Sequence, residues 1–179
     1  MHTITTNKAI KDRPQRHVGW TVAALRPFIA ALSVQEPMNI LPKIGVDKIR
    51  LGMNKTQIKD VLGEPDEIEN ELNDQCWLYE QGLELSFKKD DLHLLGLVTV
   101  TSTSAQLDSE YIIGLNEVEL IECFPYLVLE HDFEENGKDY VSAEKELSVW
   151  VSDGIVVNVT IFPEYEETGE IPLWPSFST

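Results

Sequence analysis

Apolar residues follow first a helical spacing and then a strand-like alternation, and this succession occurs twice along the chain. The residues at helical spacing are Ile58, Val61 and Leu62 in the first copy and Leu120, Cys123 and Phe124 in the second. The residues that alternate with polar neighbours are Leu83, Leu85 and Phe87 in the first copy and Leu147, Val149 and Val151 in the second. The first spacing is typical of an amphipathic helix and the second of a half-buried strand. Each copy therefore predicts a short helix followed by antiparallel strands.

The beginnings of the two predicted helices are built alike. Residues 51–58 align with residues 113–120 at an offset of 62 positions. In both segments an Asn occupies the N-cap position and a Gln or Glu follows three residues later, which is a capping box. The pairs are Asn54 with Gln57 and Asn116 with Glu119. Two capping boxes at one offset indicate an internal duplication.

Turn residues separate the predicted strands. Asn136-Gly137 lies between the strand-like runs 126–133 and 139–143, and this dipeptide is typical of a β-hairpin. We therefore predict an α+β fold made of two tandem repeats, each a short capped helix followed by a three- or four-stranded antiparallel sheet. The helices should pack on one face of the sheet and leave the other face partly free.

These patterns divide the chain into four parts. A basic N-terminal segment, 1–39, precedes a first repeat over 40–105, a second repeat over 106–163 and an acidic extended tail over 164–179. We expect the N-terminal segment to be poorly ordered or not native, with Met38 as one possible natural start. In the tail, Leu173 or Trp174 should tuck against the domain.

Charge is distributed unevenly between these parts. The whole chain has 14 basic and 31 acidic residues and a net charge of −17. Residues 1–39 contain five basic and two acidic side chains, so residues 40–179 carry 9 basic and 29 acidic side chains and a net charge of −20. A body this acidic repels phosphate, which argues against nucleic-acid binding and against anionic membrane surfaces. A cationic protein partner remains compatible with this charge.

Three features bear on the location of the protein. Cys76 and Cys123 lie 47 residues apart without the spacing of a disulfide framework, which favours two thiols in a reducing cytoplasm. The chain has no run of 18 apolar residues, so we expect no transmembrane helix. Arg26-Pro27 interrupts the apolar stretch 22–32, which disfavours an export signal.

The two copies resemble the repeat shared by the SmpA/BamE family of small outer-membrane assembly lipoproteins and the β-lactamase inhibitor protein. The matching residues are Leu51-Gly52-Met53-Asn54-Lys55 at the opening turn and Val61-Leu62-Gly63-Glu64-Pro65 at the end of the helix. The second copy keeps Gly114 but has Pro125 in the place of Gly63. The resemblance covers about 44–162 and implies a scaffold that binds proteins rather than an enzyme.

Two further resemblances bear on function. Acidic proteins with this kind of repeat are similar to bacterial immunity proteins, which neutralise a toxin domain. Residues 6–11, followed by Gln15-Arg16, resemble read-through of the recombination repeats that separate integron gene cassettes. If this second resemblance holds, the N-terminal segment carries no selected function.

The sequence contains no recognisable catalytic or metal-binding motif. It has no nucleophile elbow, P-loop or dinucleotide-binding motif, so we assign no catalytic residue. No metal-ligand spacing joins His93 and His131, and we predict neither a metal nor a cofactor. Residues 132–137 resemble the start of a calcium loop, but Ala143 stands where a Glu ligand is required, which favours a hairpin turn.

Aromatic side chains are the better candidates for binding. Trp150 is out of phase with the apolar positions of its strand and should face away from the helices. A free sheet face with aromatic and acidic side chains would suit a cationic protein. The predicted partner-binding residues are Trp77, Tyr79, Glu84, Glu146 and Trp150. The alternative is that Trp77 and Tyr79 belong to the core and that Trp150 packs under the tail.

We expect a cytoplasmic, non-enzymatic protein-binding module, in particular an immunity or inhibitor protein that occludes a basic toxin domain. One alternative is an envelope assembly protein, which requires residues 1–37 to act as an export signal. A second is an enzyme, which requires a pocket with two titratable groups of shifted pKa. A third is an integron cassette protein with no fixed partner.

Overall fold

Antiparallel β-structure dominates the part of the chain that the structure describes. The computed structural model describes residues 36–71, 74–88, 92–167, 169 and 171–176. The elements in chain order are β1 (Met38–Leu41), β2 (Gly45–Val46), β3 (Ile49–Arg50), α1 (Lys55–Leu62), β4 (Glu67–Glu71), β5 (Asp74–Tyr79), β6 (Leu83–Lys88), β7 (Leu95–Val100), β8 (Ala105–Leu107), β9 (Glu110–Tyr111), α2 (Glu117–Cys123), β10 (Val128–Asp132), a 3-10 turn (Glu134–Asn136), β11 (Lys138–Ser142), β12 (Leu147–Ser152), β13 (Ile155–Ile161), β14 (Glu164–Tyr165) and β15 (Pro172–Leu173).

Two four-stranded meanders join to form one large sheet. The strand order is β10-β11-β12-β13-β7-β6-β5-β4, and every neighbouring pair is antiparallel. The first meander, β4–β7, follows α1, and the second, β10–β13, follows α2. The meanders meet where β13 pairs with β7, and there the hydroxyls of Thr99 and Thr160 lie 3.0 Å apart. The large sheet is therefore continuous across the two halves of the body.

The α+β fold class predicted from the sequence is wrong, because the protein is mostly β structure. In the described part of the chain the two α-helices have only eight and seven residues, and each buries a single side chain completely, Ile58 in α1 and Leu120 in α2. The two copies also do not form separate sheets. Pairing of β7 with β13 satisfies backbone groups that two separate sheets would leave exposed along their edges.

The predicted capping boxes are confirmed at the starts of both helices. The Asn54 side chain accepts a hydrogen bond from the backbone N–H of Gln57 at 3.0 Å, and the Gln57 side chain accepts from Asn54 N at 2.9 Å. Asn116 and Glu119 make the corresponding pair of bonds, both 3.0 Å long. These bonds satisfy first-turn amides that lack a partner within the helix.

The segment before each helix is held to the last strand of its meander by the same two backbone hydrogen bonds. In the first copy Gly52 N donates to Leu95 O and Leu95 N donates to Met53 O, both at 2.8 Å. The bonds in the second copy, both at 2.9 Å, run from Gly114 N to Val156 O and from Val156 N to Leu115 O. Each helix therefore begins beside the final strand of its own meander.

A small sheet covers the same face of the large sheet as the helices. Its order is β3-β2-β1-β8-β9, with β1 and β8 parallel. One buried cluster contains residues of both sheets and both helices, including Ile40, Ile58, Leu85, Leu107 and Leu120. We call this side of the large sheet the covered face and the opposite side the open face. Because β1 begins at residue 38 and β8 at residue 105, the predicted boundaries at 39/40 and 105/106 both fall inside strands.

Several predictions concern the two ends of the chain. Residues 1–35, to which the predictions about disorder, an export signal and read-through apply, lie outside the described residues. Within the described ranges, no helix has the length and apolar character needed to cross a membrane. In the tail, Trp174 packs against the core beside Gly52, whereas Leu173 is 45% exposed.

Candidate functional site

Rows of side chains across the large sheet distinguish its two faces. A row on the covered face consists of buried residues, namely Trp77, Leu85, Val98, Ile161, Leu147 and Ser142. The row on the open face consists of half-buried or exposed residues, namely Glu67, Leu78, Glu84, Thr99, Thr160, Ser148, Val141 and Val128. Only the second row is available to a partner.

Trp77 and Tyr79 lie on the covered face, so the prediction that they share a free face with Trp150 is wrong. Trp77 is 2% exposed and its ring centre lies 4.9 Å from that of Phe87. Tyr79 is 7% exposed, and its hydroxyl donates to the Gly63 carbonyl at 3.3 Å. Burial raises the pKa of Tyr79 to about 12, with the nearby carboxylates of the α1–β4 loop adding to the effect. Both residues pack in the core.

Glu84 is on the open face but far from Trp150. It pairs with Thr99 on one side and Leu78 on the other. Three strand spacings, about 14 Å in total, separate its strand β6 from the strand β12 of Trp150. The structure therefore does not bring Glu84 together with the other predicted open-face residues.

Trp150 faces the open side, as its alternation predicts, and contacts the β10–β11 hairpin. Its ring centre lies 5.5 Å from that of Phe133, and Phe133 stacks on His131 at 5.6 Å and 24°. Gly137 permits this arrangement, since a Cβ at its position would lie 2.8 Å from the Trp150 ring. We call His131, Phe133 and Trp150 the aromatic stack.

Three carboxylates line a cavity of about 320 Å³ beside the aromatic stack. They belong to Glu130 on β10, Asp139 on β11 and Glu146, which lies in the turn before β12. Asp139 is paired in register with Trp150, so the cavity borders the stack. Ser148 contributes a hydroxyl to the wall. We call this cavity the acidic pocket.

The acidic pocket lacks a lysine or arginine counter-charge among the residues that the structure describes. The lysines of the described residues that form ion pairs do so with carboxylates outside the pocket: Lys43 with Glu164, Lys59 with Glu64, Lys138 with Glu117 and Lys145 with Asp108. Within the described ranges Glu130 has one ion-pair contact, 3.8 Å from the imidazole of His131. Burial and then the charge of Glu130 raise the pKa of Asp139, while His131 and a hydrogen bond from Ser148 oppose the shift. The pocket is thus a concentration of negative charge beside apolar rings.

The hairpin that carries the aromatic stack is the one predicted at Asn136-Gly137. β10 and β11 pair antiparallel around the 3-10 turn, and the Asp132 side chain accepts from the Glu134 backbone N–H at 2.9 Å. Strands flank the turn on both sides, as expected for a hairpin rather than for a helix–loop–helix calcium site.

A charged network on the covered side holds this hairpin to α2. Lys138 donates to both carboxylate oxygens of Glu117, at 2.7 and 3.0 Å, and the Tyr140 hydroxyl donates to the same carboxylate. Hydrogen bonds from Lys138 and then Tyr140 lower the pKa of Glu117. Burial, followed by the Glu117 contact, raises the pKa of Tyr140 to about 12. This network supports the strand on which Asp139 lies.

A larger cavity, of about 690 Å³, lies away from this site, between the small sheet and α1. Aliphatic side chains such as Met38 and Leu83 contribute to its walls, and its charged residues are Glu36, Asp47 and Lys48. Its described lining residues carry charges of both signs and include no aromatic side chain. The acidic pocket is therefore the stronger candidate for a binding site.

Phe133, Glu130, Asp139 and His131 were not predicted as site residues. Alternation assigns Glu130 and His131 to opposite faces, and a β-bulge between Leu129 and His131 changes that assignment. No residue pattern in this strand predicts the bulge. The hairpin signal at Asn136-Gly137 was the one feature that could have drawn attention to Phe133.

Comparisons with known proteins give little further information. No protein-family model and no curated protein matches the chain. Two solved structures are similar at 12% identity: an extracellular protein containing a SCP domain from Bacillus anthracis str. Ames and a DUF4309 family protein (YjgB) from Bacillus subtilis subsp. subtilis str. 168. The first matches with a TM-score of 0.44 over 63% of this chain and 43% of its own length, and the second with 0.45 over 62% and 78%. This chain thus spans less than half of the first protein, and at these TM-scores neither likeness supports an inference about function.

Proposed function

We propose that this protein is a binding module for a basic protein, which it contacts through the open face at the β10–β12 end of the large sheet. The observation that carries this proposal is the aromatic stack beside the acidic pocket. Phe133 is 47% exposed and Trp150 is half-buried, so both rings are accessible. Glu130, Asp139 and Glu146 surround the cavity next to them.

The chemistry of this surface favours a cationic partner. Aromatic side chains that are held rigidly make efficient interface anchors, because they bury a large area at a small cost in conformational entropy. Carboxylates around such an anchor attract lysine and arginine side chains and increase the rate of encounter. The net charge of −20 over residues 40–179 adds a long-range attraction of the same sign.

The specific form of the proposal is an immunity-type function. A toxin domain that acts on nucleic acid has a basic cleft, and an acidic protein seated in that cleft would exclude the substrate. The resemblance of the two copies to the scaffold of the β-lactamase inhibitor protein supports a role in occluding a partner. In this interpretation Trp150 is the anchor and the acidic pocket receives a basic side chain of the toxin.

Affinity capture followed by measurement with variants tests the proposal. The tagged full chain should capture a basic protein from native lysate at low salt, and co-expression should relieve that protein's effect on growth. Trp150→Ala should weaken the complex about tenfold or more, which corresponds to about 1.4 kcal/mol. Tyr111→Ala is the matched control, since Tyr111 is 53% exposed but lies on the small sheet. Equal affinities for the two variants would refute the assignment of this surface.

Variants of the acidic pocket test the electrostatic part separately. Glu130→Gln combined with Glu146→Gln should slow association and flatten its dependence on ionic strength, because steering depends on these charges. Glu110→Gln removes a charge of the small sheet and should leave the local steering largely intact. An association rate that is independent of salt in the unmodified protein would contradict the steering mechanism.

A further inference from the structure

A β-bulge directs three metal-ligating side chains toward one point at the edge of the large sheet. In β10, Leu129 is paired with Tyr140 and His131 with Asp139, so Glu130 is the extra residue. Successive residues of a regular strand point to opposite faces, but at a bulge two residues of one strand oppose one residue of the other. Glu130 and His131 therefore both approach Asp139.

The distances fit a single bound ion. One ligand atom from each of Glu130, His131 and Asp139 lies within 4.8 Å of the other two. Ligand atoms bound at about 2.1 Å to a common ion are about 3 to 4 Å apart. Small rotations of the exposed Glu130 and His131 side chains close the difference.

The donor set selects the class of metal. Ca²⁺ and Mg²⁺ prefer oxygen ligands, whereas an imidazole nitrogen suits Zn²⁺, Cu²⁺ and Ni²⁺. One imidazole and two carboxylates are three protein ligands, and three is the number found in zinc sites that keep a position for water or another ligand.

Neighbouring groups hold two of the three ligands. The Ser148 hydroxyl lies beside the Asp139 carboxylate in the wall of the acidic pocket, and the Phe133 ring stacks on the His131 imidazole at 5.6 Å. Such outer contacts orient metal ligands and are a regular feature of metal sites. The cation would also supply the counter-charge that the described lysines and arginines do not provide to Glu130 and Asp139.

We propose that Glu130, His131 and Asp139 form a surface site for one divalent transition-metal ion, with Zn²⁺ as the occupant. The site needs no protein partner, since its ligands all belong to this chain, but it shares Glu130 and Asp139 with the acidic pocket, so a bound ion would compete with a basic side chain of the proposed partner. Metal bound there would lie next to the aromatic stack and at the border of the acidic pocket.

Titration of the metal-free full chain with Zn²⁺ tests this proposal. Calorimetry in excess Ca²⁺, which occupies oxygen-only sites, should show one saturable Zn²⁺ equivalent. His131→Ala should weaken that binding about tenfold or more, as loss of a ligand costs at least as much as loss of an outer contact. His93→Ala is the matched control, because His93 is also exposed and lies outside the cluster.

A second variant guards against an indirect effect of the first. Glu130→Gln should also weaken Zn²⁺ binding, whereas Glu144→Gln, at an exposed glutamate outside the cluster, should not. Circular dichroism should show the same fold and thermal midpoint for all four variants within about 2 °C, since exposed positions contribute little to stability. Zn²⁺ binding that is equally strong in His131→Ala and His93→Ala, or binding that is not saturable, would overturn the proposal.

Discussion

Gly137 leaves the space that the Trp150 ring occupies, so Gly137→Ala should destabilise the protein more than a Gly→Ala change at a turn with open space. Its backbone angles are φ 123° and ψ −172°, a region that essentially only glycine adopts. A Cβ at this position would lie 2.6 Å from the Val151 carbonyl oxygen and 2.8 Å from the Trp150 ring. The substitution therefore causes backbone strain and a steric clash together.

The magnitude follows from these two contributions. Backbone strain of this kind costs about 1–3 kcal/mol, and forcing extra volume into a packed site costs about 1–3 kcal/mol more. Gly154→Ala is the matched control, because Gly154 also has a positive φ, 75°, but nothing lies within 4 Å of an added Cβ. We expect about 2–6 kcal/mol for Gly137→Ala and about 1–2 kcal/mol for Gly154→Ala.

Urea unfolding followed by circular dichroism measures both free energies of unfolding. Tryptophan fluorescence provides a local readout when each variant is compared with the same variant carrying Trp150→Phe, since the difference removes the signals of the other three tryptophans. The Trp150 signal should change in Gly137→Ala, because the ring moves away from the hairpin, and should not change in Gly154→Ala. Equal losses of stability for the two variants, with unchanged fluorescence, would refute the claim that a Cβ at position 137 displaces the Trp150 ring.

Two further predictions concern the core and the network at α2. Leu85→Ala, at a fully buried position of the large sheet, should lower the free energy of unfolding by about 2–5 kcal/mol, whereas Leu92→Ala, at an 82% exposed leucine, should change it by less than about 0.5 kcal/mol in the same urea assay. Glu117→Gln should lower the free energy of unfolding at neutral pH, because the hydrogen bonds from Lys138 and Tyr140 favour the ionised Glu117 carboxylate and depress its pKa in the folded protein. That contribution to stability is present above the unfolded pKa of about 4.3 and is lost as the pH falls through the folded pKa. The difference in free energy of unfolding between Glu117→Gln and the unmodified protein should therefore shrink toward acid pH. A difference that does not change with pH would contradict this role of Glu117.

Local features of the fold were predictable from the sequence, because the interactions that define them are local. Each capping box joins residues three positions apart, such as Asn54 and Gln57, and the hairpin depends on the dipeptide at 136–137. The pairing of Thr99 with Thr160 is different, since it joins residues 61 positions apart and no local pattern specifies it. The continuous sheet, and with it the fold class, therefore escaped prediction.

Alternation within its own strand placed Trp150 on the correct face, whereas the repeat alignment matches β6 to β12 in the wrong register. The offset of 62 equates Leu85 with Leu147. In the sheet, however, Leu85 is opposite Val98 and Val149 is opposite Val159. Val98 and Val159 occupy equivalent positions on the paired strands β7 and β13, so the structural equivalent of Leu85 is Val149. The error is two residues, and a shift by an even number keeps every side chain on its face. An odd shift would have reversed the faces of the strand.

The burial of Trp77 and Tyr79 could not be read from alternation alone. Their strand alternates them with Cys76 and Leu78, which are also apolar, so the pattern shows which residues share a face but not which face is covered. Strand pairing determines which face is covered, because Trp77 is opposite Leu85 and Leu85 belongs to the core. Tertiary context supplies this information.

Carboxyl-group footprinting of the complex tests the central claim, that the acidic end of the open face binds a basic protein, most directly. Reactive labelling of carboxylates, followed by mass spectrometry, would compare the full chain alone with the chain bound to its captured partner. Our account predicts protection of Glu130, Asp139 and Glu146 on binding, with Glu110 on the small sheet labelled as in the free protein. Protection of Glu110 together with unchanged labelling of the acidic pocket would contradict the account.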